Sequence, residues 1–369
     1  MITQKKTFSI QELSPFTQHF MRPDMLLLDI ETTGLSADRQ FIYCIGCSFL
    51  CGSDITIQLF FAEDQAQEKE ILQELNLLLS SYKTVITFNG TTFDLPFLRK
   101  RCALYSIQDP FAATQSVDLY REARRLKNFL MLSDYKQKSI ETFLGCQRED
   151  TYSGKELIVQ YLSYQKQPQE ALLHNLLLHN FEDVRGMYHL LDIMNYINFF
   201  QGDFQIENIF LQSVNQKRFC NIQLQSQFPF PQKLTFVSEE NSFILNDSNA
   251  LLSFPVYHGL LRHYFCDYKN YYYLPEEHTI IHKSLGSCVD SSHRQKATRE
   301  NCFLEKECDY LMHSAPDRNA YLKKDLTDTS SYFELPGQCI SNDNSLTLPA
   351  SMQQSFYLFL SSYFEYFLT

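Results

Sequence analysis

The sequence predicts a mixed α/β domain, residues 25–198, followed by a second β-containing α+β domain, residues 199–369. Three strand-like segments come first, a segment of helical period follows, and a further strand comes after that helix. Because a strand that follows a helix usually joins the sheet in parallel, this order favours a mixed sheet flanked by helices. A chain of 369 residues also fits two domains at ~150 residues each. Residues 1–24 are expected to form an irregular lead-in with a short helix.

The composition excludes some classes of protein. Hydrophobic residues make up 44% of the chain, which is enough for buried cores, and the net charge is -11. Neither half carries the basic excess of a protein that binds nucleic acid by charge alone. Any nucleic-acid contact would therefore depend on local basic patches and bound metal.

The start of the chain and its cysteines indicate a cytoplasmic location. No apolar segment follows Lys6, and no apolar run approaches the ~20 residues that cross a bilayer, so we expect no membrane segment. Eleven scattered cysteines favour a reducing compartment. Cys44 and Cys47 form a CxxC, but in a strand they would point to opposite faces. We therefore expect core cysteines, with a redox or zinc pair as the alternative.

The first strand carries the most informative stretch, MLLLDIETTG, residues 25–34. Asp29 and Glu31 are two positions apart and therefore share one face of the strand. Two such anions repel each other, whereas Mg²⁺ or Mn²⁺ prefers carboxylate oxygens and neutralises the pair. The stretch indicates a divalent-cation site, and a strand that ends in a solvated polar turn is the alternative. Gly34 lets the following backbone lie against a substrate.

The next elements have clear periods. Residues 41–50 and 55–61 predict two more strands of an antiparallel meander, and residues 64–81 predict a helix with Asp64 as N-cap. Residues 84–88 then predict a strand parallel to the first.

The second informative stretch is FNGTTFDLPFL, residues 88–98. Asn89 and Gly90 predict a turn, and Asp94 stands at the opening of a helix through Leu104. This places Asn89 and Asp94 beside the end of a strand, with a helix cap as the alternative for Asp94. Two basic clusters follow, at residues 99–101 and 121–127, and either could hold phosphate or be a solvated helix face.

The third informative stretch, HNFEDV, lies in a long predicted helix over residues 169–197. Several helices are expected before it, over residues 115–164, with Ser133 as an N-cap. His179 and Asp183 are four apart and project from one helix face. Such a pair can serve as metal ligand and general base, and a polar pair on a wet face is the alternative.

Together, DIETTG (29–34), NGTTFDLP (89–96) and HNFEDV (179–184) resemble the DEDD 3′–5′ exonuclease superfamily, whose fold is ribonuclease-H-like. The chain most resembles the YprB-type ribonuclease-H-like exonuclease family, over about residues 25–195. The resemblance implies an enzyme that hydrolyses phosphodiester bonds from a 3′ end with two divalent ions, Mg²⁺ or Mn²⁺. Its implied partner is DNA or RNA with a single-stranded 3′ end.

The resemblance also implies roles for individual residues. The metal ligands would be Asp29, Glu31, Asp94 and Asp183, and His179 would orient or deprotonate the attacking water. The terminal nucleotide would be positioned by Thr32, Gly34, Leu35, Asn89 and Phe93. Superfamily members carry a Tyr four residues before the last Asp or a His five before it. Here His179 occupies the Tyr-type position and Leu178 the His-type position.

Beyond residue 199 the resemblance ends. Short apolar runs broken by Pro, Asn, Asp and Ser predict strands, residues 263–274 predict a hairpin, and residues 356–368 predict a terminal helix. Two alternatives to the exonuclease remain open. One is a nucleic-acid-binding protein on a retired nuclease fold, and the other is a structure-specific endonuclease.

Overall fold

The computed structural model describes residues 1–238, 241–314, 322–335 and 345–368. The chain divides into two compact units, Met1–Ile197 and Asn198–Thr369. In the described part of the chain, no helix has both the length and the apolar character that crossing a membrane requires.

A six-stranded mixed sheet forms the centre of the first unit, in the order β1-β4-β3-β2-β5-β6. Its strands are β1 (Ile2–Ser9), β2 (Met25–Thr32), β3 (Ile42–Cys51), β4 (Asp54–Phe61), β5 (Thr84–Thr87) and β6 (Gln115–Asp118). β2, β3 and β4 form the predicted antiparallel meander, and β5 joins β2 in parallel. The predicted mixed α/β fold is therefore confirmed.

The two outer strands correct the sequence analysis. β1 lies within the segment expected to be an irregular lead-in and pairs with β4 along its whole length, from Ile2 opposite Phe61 to Ser9 opposite Asp54. β6 lies in a region predicted to be helical and pairs in parallel with β5. Both strands are polar and partly exposed, so their sequences show no hydrophobic period that would predict a strand. They form strands because they pair with a neighbour.

Helices cover the sheet. They are α1 (Pro15–Phe20), α2 (Glu68–Leu79), α3 (Asp94–Leu104), α4 (Leu119–Arg125), α5 (Lys127–Leu130), α6 (Gln137–Phe143), α7 (Gly154–Lys166), α8 (Glu170–Leu190) and α9 (Ile193–Phe200), with 3-10 turns at Ile10–Glu12 and Gln65–Gln67. α2 and α3 match their predicted positions, and the Asp64 side chain caps the turn that leads into α2.

Two helix predictions need correction. The single helix expected over residues 169–197 is interrupted after Leu190, so that α8 and α9 are separate helices. The expected N-cap at Ser133 is also wrong, because α6 begins at Gln137 with Lys136 at the N-cap position.

The core of the first unit is built on β2. Leu26, Leu27 and Leu28 are fully buried, and α2 and α3 pack apolar side chains against this part of the sheet. Cys44 and Cys47 are buried free thiols in β3, as expected for core cysteines. Burying this strand on both faces fixes the position of the acids at its end.

The second unit is rich in strands. Its described elements are β7 (Gln205–Val214), β8 (Lys217–Gln225), β9 (Leu234–Val237), β10 (Ser242–Asn246), β11 (Asn249–Tyr264), β12 (Tyr271–Leu274), β13 (Thr279–His282), β14 (Gln295–Lys296), β15 (Phe303–His313), β16 (Leu322–Lys323), β17 (Ser331–Glu334) and α10 (Ala350–Glu365), with 3-10 turns at Tyr268–Asn270, Lys283–Cys288 and Ser291–His293. In the described ranges they form an eight-stranded and a three-stranded sheet. The predicted terminal helix is present as α10, which begins earlier, at Ala350. The predicted hairpin is wrong, because β11 pairs with β15 whereas β12 pairs with β13 and β14.

Candidate active site

The site begins at the carboxyl end of β2, the strand between β3 and β5. Asp29 and Glu31 alternate with buried Ile30 and so point to the same face. Because β5 runs parallel to β2, the chain that leaves β5 emerges at the same edge and leads to α3. Asp94, the first residue of α3, is buried there and accepts a hydrogen bond from the Ile30 main-chain N at 3.2 Å.

Helix α8 brings the remaining predicted residues to the same place. His179 Nε2 lies 3.4 Å from Glu31 Oε1 and 3.2 Å from Asp183 Oδ2. Asn180 Nδ2 donates a hydrogen bond of 2.7 Å to Asp29 Oδ2. The three stretches singled out in the sequence therefore converge on one pocket.

A glycine in β3 permits this close approach of the helix. A Cβ atom on Gly46 would lie 2.3 Å from Asn180 Oδ1 and 2.7 Å from Val184 Cγ2. Contacts that short do not occur in folded proteins, so a side chain here would push α8 away from the sheet.

Burial and mutual repulsion disfavour the charged state of these acids. Burial, with the charges of Asp183 and Asp94, holds the pKa of Asp29 well above its usual range. Burial also raises the pKa of Glu31 to about 7, and the charge of Asp183 adds to the effect. The pKa of Asp94 is likewise raised to about 7 by burial, against the effect of its backbone hydrogen bonds. The pocket therefore favours either protons or cations among its carboxylates.

The ligand set suits a divalent metal ion. Glu31, His179 and Asp183 each offer one ligand atom, and these atoms all lie within 4.8 Å of one another. Carboxylate oxygens and an imidazole nitrogen are ligands that Mg²⁺, Mn²⁺ and other first-row metals accept. The group could hold a metal ion, and Asp29 and Asp94 bring further carboxylates to its side.

The second ring nitrogen of His179, Nδ1, contacts an acid that the sequence analysis did not identify, Asp150. Its Nδ1 lies 2.7 Å from Asp150 Oδ2, and the Asp150 side chain is only 1% exposed. Lys138 Nζ donates to the same oxygen at 2.8 Å, and Glu182 Oε2 accepts from the Asp150 main-chain N at 2.8 Å. Burial works against protonation of His179, but the charges of Asp183, Glu31 and Asp150 raise its pKa.

Asp183 also has a cationic partner. The Arg148 guanidinium donates to Asp183 Oδ1 and to both carboxylate oxygens of Glu141. Burial opposes the charged guanidinium, yet the hydrogen bonds to Glu141 and the charge of Asp183 raise the pKa of Arg148. Gly186 leaves the space that Glu141 fills, since a Cβ there would lie 1.9 Å from Glu141 Oε1.

The predicted substrate residues differ in exposure, packing and backbone conformation. Leu35 is 89% exposed just past the end of β2, whereas Thr32 is buried and its hydroxyl donates to the Gly34 carbonyl. Phe93 packs beside Phe97 with ring centroids 5.5 Å apart. Asn89 has a left-handed backbone, φ 60°, as a tight turn there requires. Their contact with a nucleotide stays a prediction.

Three residues of the pocket were missed by the sequence analysis. Asn180 lies inside the HNFEDV motif, next to His179. Its spacing of four residues from the apolar Leu176 and Val184 was the available signal that it shares the buried side of α8. Asp150 and Arg148 lie in an irregular segment between α6 and α7, where no periodic pattern marks them.

Comparison with known proteins finds a family model that matches part of the chain. Residues 26–195 match the family model described as RNase_H superfamily. The match covers less than half of the chain, and together with the mixed sheet flanked by helices it indicates a ribonuclease-H-like fold for the first unit. The match covers the three motif stretches of the ribonuclease-H-like domain and ends before the second unit.

Other comparisons add little to this assignment. The family B DNA polymerase from the hyperthermophilic archaeon Pyrobaculum calidifontis is similar at 11% sequence identity and a TM-score of 0.37. The similarity covers 67% of this chain and 35% of the polymerase chain, so this chain spans about a third of that protein. No curated protein matches the chain.

Proposed function

We propose that the ribonuclease-H-like domain is a metal-dependent nuclease, a 3′–5′ exonuclease of the YprB type that hydrolyses phosphodiester bonds of DNA or RNA. The convergence of acids from three distant segments supports this proposal. Asp94 is hydrogen-bonded to Ile30, between Asp29 and Glu31, and Asp183 lies beside the imidazole that contacts Glu31. A buried cluster of this kind costs stability unless cations neutralise it.

Asp29, Glu31, Asp94 and Asp183 would hold two Mg²⁺ or Mn²⁺ ions. Bound there, such ions would neutralise the scissile phosphate and lower the pKa of a bound water. The raised pKa values of Asp29, Glu31 and Asp94 support this role, because burial and the neighbouring acids disfavour the charged carboxylates and a bound cation would stabilise them.

His179 would take the proton of the attacking water at Nε2. An ionised carboxylate can only accept a hydrogen bond, so the neutral ring donates Nδ1–H to Asp150. This tautomer leaves the Nε2 lone pair facing Glu31 and Asp183. A neutral imidazole nitrogen with a free lone pair is suited to general-base catalysis.

Cleavage direction can be tested with singly end-labelled single strands, purified protein and Mn²⁺ or Mg²⁺. A 3′–5′ exonuclease shortens a 5′-labelled strand into a ladder and releases a 3′ label at once as a mononucleotide. Scattered internal products would instead indicate an endonuclease. Binding without any cleavage would indicate a retired nuclease fold.

A further inference from the structure

An open cleft of about 710 Å³ lies on the first unit. Its lining includes Phe88 and Asn89, which follow β5, and Tyr120, Arg124 and Lys127 from α4 and α5. Residues 132–136, which precede α6, complete the lining.

The cleft shares a turn of chain with the candidate active site. The main-chain N of Asn89 donates to Asp118 Oδ1 at 2.8 Å, and the main-chain N of Thr91 donates to Asp118 Oδ2 at 3.1 Å. The Asp118 charge also acts on Asp94, three residues beyond Thr91. A flexible polymer that has one end at the acids could therefore continue along this turn into the cleft.

The charge of the lining is positive although the chain as a whole is acidic. Arg124, Lys127 and Lys136 are exposed in the cleft against one carboxylate, Asp134. Asp134 accepts hydrogen bonds from the Lys136 main-chain N and the Ser139 hydroxyl and lies 4.0 Å from Lys136 Nζ. Within the described residues, no carboxylate lies within 4.0 Å of Arg124 or Lys127, so both remain available to an anion.

Aromatic rings alternate with these cations. Phe88 and Tyr120 meet edge to face with centroids 5.8 Å apart, and both are partly exposed. The Arg124 guanidinium lies 5.7 Å from the Tyr135 ring centroid. Aromatic faces beside cations bind single strands without sequence preference, because every base has a face that can stack.

We propose that this cleft binds the phosphates and bases of a single-stranded nucleic acid whose end lies at the acids. The proposal rests on the proposed function, since it takes nucleic acid as the substrate. Arg124 and Lys127 contact phosphates, and the exposed faces of Phe88 and Tyr120 stack on bases. The cleft therefore confers a preference for unpaired strands.

Binding can be measured separately from cleavage. Fluorescence anisotropy in EDTA, with end-labelled short oligodeoxythymidylate and oligouridylate, gives Kd over a range of salt concentrations. For single strands each phosphate contact contributes ~0.7 to the slope of log K against log salt, so Arg124→Ala/Lys127→Ala should lower the slope by about 1.4 and raise Kd roughly 10- to 30-fold at about 0.1 M salt. Loss on only one probe would name DNA or RNA as the ligand of the cleft.

The matched control removes the same charge elsewhere on the same unit. Lys155 and Lys166 are exposed on α7 and lie outside the cleft, so Lys155→Ala/Lys166→Ala should leave the salt slope unchanged. Thermal unfolding checks that each variant folds, and Arg124→Gln/Lys127→Gln replaces the alanine pair if that pair is unstable.

Distinct results separate this proposal from the proposed function. An unchanged Kd and slope in the Arg124→Ala/Lys127→Ala protein would overturn the cleft proposal, even if the wild-type protein degrades the strand. Equal wild-type affinity for a duplex would overturn the single-strand preference. A protein whose binding depends on the cleft but which cleaves nothing with Mn²⁺ would support the cleft and contradict the nuclease.

Discussion

At the residue scale, Asp29 is a buried acid whose side-chain hydrogen bond comes from the neutral amide of Asn180. It accepts a hydrogen bond from Asn180, and burial together with the neighbouring acids raises its pKa. We expect Asp29→Asn to keep that contact, since the amide oxygen also accepts, and to remove one repelling charge. The metal-free melting temperature should therefore rise or stay constant, while metal-dependent cleavage falls more than about 100-fold.

The control for Asp29→Asn is Asp54→Asn, which changes an exposed acid at the start of β4. Differential scanning fluorimetry in EDTA and initial cleavage rates with Mn²⁺ measure both quantities. A normal cleavage rate in the Asp29→Asn protein would remove Asp29 from the proposed metal site.

Asp150 is expected to act through His179. If its carboxylate holds the ring with Nε2 toward the acids, Asp150→Asn should lower kcat about 10- to 100-fold with little change in KM. His179→Ala alone should cost about 10²- to 10⁴-fold. In the His179→Ala protein the further change at Asp150 should then cost almost nothing, because the residue it positions is gone.

The four kcat values form a double-mutant cycle that tests this coupling. Two losses that simply multiply would show that Asp150 acts on something other than His179. Unfolding in urea identifies any loss that comes from reduced stability.

Sequence analysis identified residues that stand in recognisable motifs and missed Asp150 and Asn180, whose contacts only the tertiary fold creates. The two-residue repeat of a strand puts Asp29 and Glu31 on one face. The helical repeat puts His179 and Asp183 on one face of α8. By contrast, Asp150 lies 29 positions from His179 in the chain and Asn180 lies 151 positions from Asp29. The hydrophobic or polar repeat of a single helix or strand cannot predict contacts between residues so far apart in the chain. The roles of the predicted residues stay predictions until metal and substrate are tested.

At the scale of elements, the packing of α8 on β3 controls the geometry of the pocket. We expect Gly46→Ala to cost about 1–3 kcal/mol of stability, because its Cβ would meet Asn180 and Val184 and displace α8. His179 and Asn180 would move with the helix, so cleavage should fall more than stability alone explains.

Gly154→Ala is the matched control for Gly46→Ala. A Cβ on Gly154, at the first position of α7, meets no other atom within 4 Å, and alanine favours a helix there. Urea unfolding and cleavage rates should therefore change little. Wild-type cleavage in a folded Gly46→Ala protein would contradict the proposed link between this packing and the site.

Elements were predictable where buried apolar residues mark them. α2 carries a helical hydrophobic period and the strands from β2 to β5 carry apolar runs, whereas β1 and β6 are defined by pairing at the sheet edges. The interruption after Leu190 was missed because the residues on both sides of it are apolar, so the hydrophobic pattern continues through the break.

At the scale of the whole molecule, the two units differ in how far the sequence reveals them. The motifs of the first unit predicted both its fold and its candidate site. In the second unit the sequence predicted strands but not their partners, because pairings such as β11 with β8 and β15 join distant segments. Its buried aromatic side chains, among them Phe243, Phe254 and Phe356, form a core. The composition of the chain predicts such a core but does not predict the order of the strands around it.

The buried acids also make stability depend on pH and metal. Glu31 and Asp94 have ordinary pKa values of 4.5 and 3.8 but titrate at about 7 in the folded chain. Between about pH 4 and pH 7 the unfolded chain has lost protons that the folded chain still holds, so stability falls as the pH rises. His179, whose pKa is raised above its ordinary value of 6.5, loses its favourable charge as the pH rises beyond that value and acts in the same direction.

We therefore expect the melting temperature in EDTA to fall by about 5–10 °C between about pH 5 and pH 8. Mn²⁺ should reduce this fall, because a bound cation stabilises the folded chain and favours the charged carboxylates that the higher pH produces. Asp94→Asn should flatten the profile in EDTA, since it removes one of the titrating groups. A melting temperature that rises toward pH 8 without metal would mean that the acids are not held together in the folded chain, and the nuclease proposal would lose its main support.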